Sequence, residues 1–312
     1  MLATAIAALL GNASAVNATE PCGDLGECKA LVEINSTDGD AGFHFLMDGD
    51  EFIRASLYNP NWRKQFTYYL RGDLRDQTLT ETFAESAEPL CWYDPDADEE
   101  DLENVVTIDE FLERWETGTY HYVGVSEGWD LSFGSTELTF ALPAAPVELE
   151  YEEEEEVDED GEVDIVGEIS WEAGNDLGNC AEIPDEEDGD DPNIPNLDDI
   201  LHLLDEAPED VAVAAWEVVF EPDFDEDHPM AALSLKYTAR IPGDAELEVE
   251  VPSDYLEALP DNTPVKIEIG AIGYDDNATF TEIDEICVNE DDEDPDDMED
   301  GCGFEIEDDD DD

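Results

Sequence analysis

The chain has 312 residues, of which 91 are acidic and only 10 basic, so that its formal net charge at pH 7 is -81. Hydrophobic residues still make up 41% of the chain and aromatic residues 9%, which excludes a disordered polyanion and predicts about two folded domains. A field of this sign repels nucleic acid and anionic lipid, so we expect neither as a partner.

The shortage of basic residues indicates adaptation to high salt or to a medium rich in divalent ions. Repulsion among so many carboxylates opposes a compact state at low ionic strength, whereas the Debye length falls to about 3 Å in 1 M salt. The alternative interpretation is that the acidic surface only makes a secreted protein very soluble.

Residues 1–15 are predicted to be a signal peptide. An apolar run, residues 2–10, is followed by Ala13-Ser14-Ala15, the small-x-small pattern that signal peptidase accepts. The run is too short to span a bilayer, and no later run approaches about 18 apolar residues, so we expect no membrane span. The predicted location is therefore outside the cell or on its surface.

An even number of cysteines in an exported chain predicts disulfides, although the sequence alone does not choose among the pairings. The six cysteines are Cys22, Cys28, Cys91, Cys180, Cys287 and Cys302.

Residues 30–142 predict a β-sandwich of seven short strands with one helix. The strand candidates are KALVEI, FHFLM, EFIRASLY, QFTYYL, TYHYVGV, WDLSF and ELTFAL, most of them separated by turn residues. The helix is predicted from an apolar stripe at Ile108, Phe111, Leu112 and Trp115. Thr107 and Glu110 have the spacing of a capping box before it, and Gly118 would close it.

The remainder of the chain predicts a second β domain and an acidic tail. Residues 143–146 form a stiff proline-containing linker, and residues 147–288 contain alternating strands interrupted by a long acidic insertion, residues 181–210. Within this insertion, Leu197, Ile200, Leu201 and Leu204 predict a short amphipathic helix behind Asn196. Residues 289–312 lose all pattern and are predicted to be disordered.

The second half resembles a fibronectin type III domain. The resemblance rests on ISWEA, which contains Trp171, on EVEVPSDYLEALPDNTPVKIEIGAIGYDDNATFTE, and on the order of the strands between them. It covers about residues 146–288 and departs from the family at Val265, where a tyrosine is usual. The first half is only loosely similar to immunoglobulin-like sandwiches, through GTYHYVGV as a late strand. The arrangement is similar to that of secreted bacterial proteins that carry one such module.

The resemblance implies a fold and a disulfide scheme, and it implies almost nothing about activity. Trp171 would lie in the core, and the strand after the Leu259-Pro260 corner would turn alternate residues inward while Lys266 and Glu268 face solvent. The loop that contains Cys180 would lie beside the preceding domain. The implied pairs are therefore Cys91–Cys180 across the domain boundary, Cys22–Cys28, and Cys287–Cys302.

Two short motifs have a catalytic or metal-binding form. Residues 124–128 read G-x-S-x-G, but a strand rather than a helix is predicted to follow, so we interpret them as a hairpin turn. Residues 156–168 resemble a calcium loop, with Asp158, Asp160 and Asp164 as candidate ligands and no bidentate Glu at the last position. A turn between two strands is the alternative, and weak Ca²⁺ binding is the one cofactor interaction that we predict.

Half of the basic residues lie between positions 54 and 75. These are Arg54, Arg63, Lys64, Arg71 and Arg75, with Trp62 and Tyr69 among them. We take Trp62, Arg63, Tyr69 and Arg71 as a candidate binding patch for an anionic polysaccharide or for an acidic segment of a neighbouring protein. The alternative is that nearby carboxylates neutralise the patch within the chain. Arg71-Gly72-Asp73 also forms the tripeptide that integrins recognise, which we interpret as a chance match.

No catalytic constellation is evident, and the four histidines lack the spacing of a zinc motif. We therefore expect an all-β, non-enzymatic, secreted or cell-surface binding or adhesion protein that takes a polysaccharide or a surface protein as partner. The alternatives are an accessory or cryptic extracellular hydrolase and a self-assembling subunit of a surface fibre.

Overall fold

The computed structural model describes residues 22–95, 97, 102–157, 163–183, 192–224, 230–231, 235–260, 262–289 and 302. The predicted signal peptide and, apart from Asn289 and Cys302, the predicted acidic tail lie outside these residues. Within the described part the chain is all-β, with a few helices of which the longest has seven residues. No helix there is long and apolar enough to cross a bilayer.

The chain forms two compact units, and each contains segments that are distant in the sequence. Unit 1 comprises the chain up to Ala144, Asn175–Ala212 and Ile272–Thr279. Unit 2 comprises Ala145–Gly174, Val213–Ala271 and the chain from Phe280. The predicted insertion, residues 181–210, therefore belongs to the first unit and not to the second, because its apolar side chains pack in the core of unit 1.

Unit 1 is a sandwich of two antiparallel sheets. Its elements are β1 (Glu27–Asn35), β2 (Asp40–Phe52), β3 (Arg54–Tyr58), β4 (Lys64–Tyr69), α1 (Asp73–Gln77), β5 (Leu79–Glu85), α2 (Ile108–Arg114), β6 (Gly118–Val125), β7 (Leu131–Leu138) and α3 (Leu197–Ile200). The strands of unit 1 in the first sheet pair in the order β1-β2-β5, and the second sheet has the order β4-β3-β6-β7. β5 was not among the predicted strands, and β7 ends at Leu138, whereas the predicted strand continued to Leu142.

The core of unit 1 is filled from both sheets and from the helices. Phe43 of β2 stacks on Phe111 of α2 with ring centroids 4.8 Å apart and meets Trp115 at 4.0 Å, so the predicted apolar stripe of α2 packs on the sheet. α2 begins after Thr107 as predicted, but the capping box does not form, since the Thr107 hydroxyl bonds to the Asp109 carboxylate instead.

The acidic insertion adds to this core. Leu177, Ala181, Leu197, Ile200 and Leu204 are buried in it, and the predicted helix α3 is capped by the Asn196 side chain, which accepts a hydrogen bond from the Asp198 N–H.

Unit 2 is a second sandwich. Its elements are β8 (Pro146–Val157), β9 (Val163–Ala173), β10 (Val213–Pro222), β11 (Tyr237–Pro242), β12 (Glu248–Val251), α4 (Ser253–Leu256), β13 (Thr263–Gly273) and β14 (Ala278–Val288). The sheet β12-β9-β8 faces the sheet β11-β10-β13-β14 across a shared core. Trp171 is 4% exposed and Ile267 is fully buried, which confirms the predicted inward face of β13.

The other face of β13 differs from the prediction. Glu268 is buried rather than solvated, and the side chain of Lys266 is only 14% exposed. Lys266 Nζ lies 2.8 Å from Glu268 and 3.2 Å from Glu282 on β14. Burial alone would lower the pKa of Lys266, but the hydrogen bonds and charges of the two carboxylates outweigh it and raise the pKa. The acid is thus not confined to an exposed outer surface.

The three disulfides join Cys22 with Cys28, Cys91 with Cys180, and Cys287 with Cys302. These are the pairs that the resemblance implied, but Cys91 and Cys180 both belong to unit 1, so their bond does not cross a domain boundary. It joins positions 89 residues apart, and a long loop closed in this way strongly restricts the unfolded chain.

The turn between β13 and β14 belongs to unit 1, where one buried amide holds it in place. Asn277 is fully buried; its Oδ1 accepts a hydrogen bond from the Val32 N–H, and its Nδ2 donates to the carbonyls of Thr139 and Ala141. These backbone groups belong to separate segments of the chain. The Asn277 side chain therefore provides hydrogen bonds to buried N–H and C=O groups that the pairing of strands does not satisfy.

We expect Asn277→Ala to lower the free energy of unfolding by about 3 kcal/mol, because it leaves several buried backbone groups without a hydrogen bond. The measurement is urea unfolding at high salt, followed by tryptophan fluorescence. Asn61→Ala is the control, since the Asn61 amide is exposed and bonds only to the Glu116 carboxylate. Equal losses in the two variants would contradict this role for Asn277.

Candidate binding surface

One face of the sheet β4-β3-β6-β7 points away from the core of unit 1. Alternation in β3 and β6 turns Ala55, Leu57, Tyr120 and Tyr122 into the core and the residues between them outward. The outer face is formed by Lys64, Thr67, Tyr69, Arg54, Ser56, Tyr58, Thr119, His121, Val123, Val125, Leu131, Phe133, Ser135 and Glu137. Glu137, near one corner, is the one carboxylate in this set.

Large apolar side chains are exposed along two borders of the outer face. Trp62, in the turn before the edge strand β4, is 59% exposed, and Tyr69, the last residue of β4, is 61% exposed. Leu131 and Phe133 are also exposed on β7, and Trp129 in the β6–β7 turn is 71% exposed. Exposed aromatic residues of this size are unusual on a protein surface and indicate a place where another molecule binds.

Trp62 is held in place by the hairpin between β3 and β4. It lies in the left-handed region, with φ of 57°, and its indole stacks on the His121 ring at 4.0 Å with an interplanar angle of 11°. The Asn59 side chain orders the turn, since its Oδ1 accepts from the Asn61 and Arg63 N–H groups. The indole is therefore positioned before any partner binds, which lowers the entropy cost of binding.

Tyr69 and Arg54 are cross-strand neighbours at the other end of β4. The Arg54 Nε atom is buried and has no hydrogen-bond partner within the described residues. β4 rises about 3.3 Å per residue, so its two ends lie roughly 16 Å apart. Trp62 and Arg63 lie in the turn before β4, and Tyr69 and Arg71 lie at or just after its last residue, so the four residues of the predicted patch form two groups and not one cluster.

The basic residues divide into two classes. Five are paired with carboxylates: Lys29, Arg114, Lys236, Arg240 and Lys266. For the other five, Arg54, Arg63, Lys64, Arg71 and Arg75, the described residues provide no ion pair, and Lys64 lies instead over the Tyr58 ring at 5.4 Å. The alternative that nearby carboxylates neutralise this patch stays a prediction, because many carboxylates of the chain lie outside the described residues.

This division is notable because carboxylates are so abundant. With 91 acidic residues in the chain, cations placed at random would find acidic neighbours easily. Around the outer face, Arg63, Lys64, Arg71 and Arg75 are instead exposed and have no ion pair within the described part of the chain.

Other predicted features fall outside this surface. Residues 124–128 form the end of β6 and the hairpin turn into β7, in which Ser126 O accepts from the Trp129 N–H, so the turn interpretation of G-x-S-x-G is confirmed. Of the candidate calcium ligands, Asp158 and Asp160 lie outside the described residues, and the side chain of Asp164 is likewise not described.

One group of possible metal ligands was missed because its members are far apart in the sequence. Glu33, His44 and Glu88 place one ligand atom each within 4.8 Å of one another. Burial lowers the pKa of His44, but the hydrogen bond that its ring donates to Glu88 and the charges of Glu33, Glu88 and Glu85 outweigh burial and raise the pKa. His121 and His202 lie elsewhere in unit 1, and His228 is not among the described residues.

No protein-family model matches the chain, and no curated protein matches it significantly. Among solved structures, a DUF3823 family protein from Parabacteroides merdae aligns with 10% identity over 82% of this chain and 98% of that one, with a TM-score of 0.19. Trypsin-activated alpha-2-macroglobulin from Escherichia coli aligns with 8% identity over 86% of this chain and 16% of that chain, also with a TM-score of 0.19.

The two classes of cation should respond differently to substitution. We expect Lys266→Gln to lower the free energy of unfolding by about 3 kcal/mol, since it leaves two largely buried carboxylates without their cation. Arg63→Gln and Arg71→Gln should change it by less than about 0.5 kcal/mol. Urea unfolding measures the free energy of unfolding of all three variants. High salt screens the effect of the lost positive charge on repulsion across the whole chain. A loss at Arg63 or Arg71 as large as that at Lys266 would mean that these arginines stabilise the fold.

Proposed function

We propose that the protein is a non-enzymatic, secreted or cell-surface binding protein of high-salt environments, and that the outer face of unit 1 binds an anionic polysaccharide. The observation that carries this proposal is the group of cations that have no ion pair among the described residues, beside the exposed rings of Trp62 and Tyr69. Disulfide bonds support an extracellular location.

The chemistry of the outer face suits a charged sugar polymer. Flat aromatic rings pack against the apolar faces of pyranose rings, and guanidinium groups bind carboxylate and sulfate oxygens through charge-assisted hydrogen bonds. The two groups lie near opposite ends of β4, which are roughly 16 Å apart, and an extended polymer can reach both at once.

The two sandwiches also support a binding role. Within unit 2, the strands pair in the orders β12-β9-β8 and β11-β10-β13-β14, which supports fibronectin type III domains as its relatives, with unit 1 more loosely immunoglobulin-like. Because the fold alone does not define a function, the proposal rests on the outer face. That face offers rings and cations, and the one motif of catalytic form is a hairpin turn.

We expect the protein to bind a sulfated or uronic polysaccharide, such as heparin or alginate, and to bind neutral dextran weakly. Trp62→Ala, Tyr69→Ala, Arg63→Gln and Arg71→Gln should each weaken binding roughly fivefold, the loss of about 1 kcal/mol per contact. Isothermal titration calorimetry in high salt is the measurement.

Two variants on other parts of unit 1 serve as matched controls. Tyr274→Ala removes an exposed aromatic ring, and Arg114→Gln removes an exposed arginine that pairs with Glu110. Neither should alter binding. The proposal fails if the controls weaken binding as much as the patch variants, or if single-stranded DNA binds as tightly as the polysaccharides.

The affinity for these polyanions should rise with salt between about 0.15 M and 1 M NaCl, whereas most polyanion-binding proteins lose affinity in this range. The reason is that repulsion by a net charge of -81 opposes the few attractive contacts, and salt screens the long-range repulsion more effectively than the contacts. The melting temperature, measured at each concentration, identifies the range in which the chain is folded. A steady fall of affinity with salt in that range would contradict this account.

A further inference from the structure

A buried histidine lies between two carboxylates on β1, β2 and the segment after β5. His44 of β2 is 2% exposed, and it points away from the core of unit 1, on the opposite face from Phe43 and Phe45. Its cross-strand neighbours are Leu31 on β1 and Glu85 on β5. Two residues further along β1, Glu33 extends over the same face.

The two ring nitrogens of His44 have different partners. Nε2 lies 3.3 Å from Glu88 Oε1, and because an ionised carboxylate only accepts, the hydrogen of a neutral ring belongs on Nε2. Nδ1 is then left with a lone pair. It is buried and has no hydrogen-bond partner in the described structure.

Glu33 faces that lone pair at a distance typical of two ligands of one ion. Glu33 Oε2 lies 3.6 Å from His44 Nδ1, which is too long for a hydrogen bond. Two donor atoms that each lie roughly 2.0–2.2 Å from a shared zinc ion are separated by about this distance. The Glu33 and Glu88 side chains are 17% and 27% exposed, so the cluster is open to solvent on the carboxylate side.

The backbone makes room for the second carboxylate. A Cβ atom on Gly42 would lie 2.6 Å from Glu88 Cγ, so the side chain of Glu88 packs directly over this glycine. The chain on either side of Glu88 is fixed to β2, since the Ser86 N–H donates to Phe43 O and the Ala41 N–H donates to Pro89 O. The geometry around His44 is therefore set by the sheet and not by a free loop.

We propose that His44 Nδ1 and Glu33 bind a divalent transition-metal ion such as Zn²⁺, with Glu88 accepting the hydrogen bond from Nε2–H. A carboxylate that orients a ligating histidine in this way is common in metal sites and raises the basicity of the ring. Water or an external donor completes the coordination on the open side. The imidazole distinguishes this site from the exposed acidic surface, because Ca²⁺ and Mg²⁺ prefer oxygen ligands alone.

The test is a zinc titration of the full chain in high salt with excess Ca²⁺, which occupies the exposed carboxylates. We expect one tight site, a nitrogen ligand in the zinc X-ray absorption spectrum, and a shift of the His44 ring resonances that Ca²⁺ alone does not produce. His44→Gln and Glu33→Gln should each weaken zinc binding at least tenfold, and Glu88→Gln should weaken it about 10- to 100-fold.

The controls are His202→Gln and Glu81→Gln, which replace an exposed histidine and an exposed glutamate of unit 1 and should leave the tight site intact. The melting temperature of each variant without zinc shows whether the variant folds. If His44→Gln does not fold, the zinc spectrum of the wild-type protein still tests the proposal. An imidazolium ion that only bridges the two carboxylates is the competing arrangement. A wild-type zinc spectrum without nitrogen, or His44 resonances that zinc does not shift at a pH where the ring is neutral, would overturn the proposal.

Discussion

The scarcity of cations is the constraint on which the rest of this structure depends. A buried carboxylate requires a partner, because its desolvation is not otherwise compensated, and the chain has only ten lysines and arginines to supply one. Lys266 serves two carboxylates, Glu268 and Glu282. Arg240 is 3.8 Å from the buried Glu217, where desolvation outweighs the arginine and raises the pKa of the carboxyl group.

Because cations are scarce, those that do not pair with a buried carboxylate are candidates for binding an external anion. Arg63 and Lys64 follow Trp62 in a turn whose conformation is fixed by Asn59, and Arg54 lies beside Tyr69 on the neighbouring strand. In a chain with 91 acidic residues, the outward residues of the strands β4, β3, β6 and β7 include one carboxylate, Glu137. Selection for solubility alone would not produce such a face, since exposed aromatic residues lower solubility.

The cluster around His44 brings carboxylates together without using a lysine or arginine that any described ion pair records. Two carboxylates, Glu33 and Glu88, lie on either side of an imidazole, 3.6 and 3.3 Å from its two ring nitrogens. An imidazole can meet this charge by binding a proton or by donating a lone pair to a metal ion, whereas a lysine could do only the former. Histidine at this position can therefore bind a metal ion, which the lysine and arginine of the other buried pairs cannot do.

The sequence by itself determined the all-β class, the inward face of β13, the start of α2 and the helix behind Asn196, because alternation, helical spacing and capping residues are local signals. Composition also identified the segment from Arg54 to Arg75 as the place where cations and aromatic rings concentrate. Only the tertiary structure decided which side of a strand meets a core: Trp129, Leu131 and Phe133 alternate like core residues, yet the core lies on the side of Gly134 and Leu138. It also decided that residues 175–212 join unit 1, and that Glu33, His44 and Glu88 meet. Strand pairing brings together residues of any separation in the sequence, and no local pattern encodes that choice.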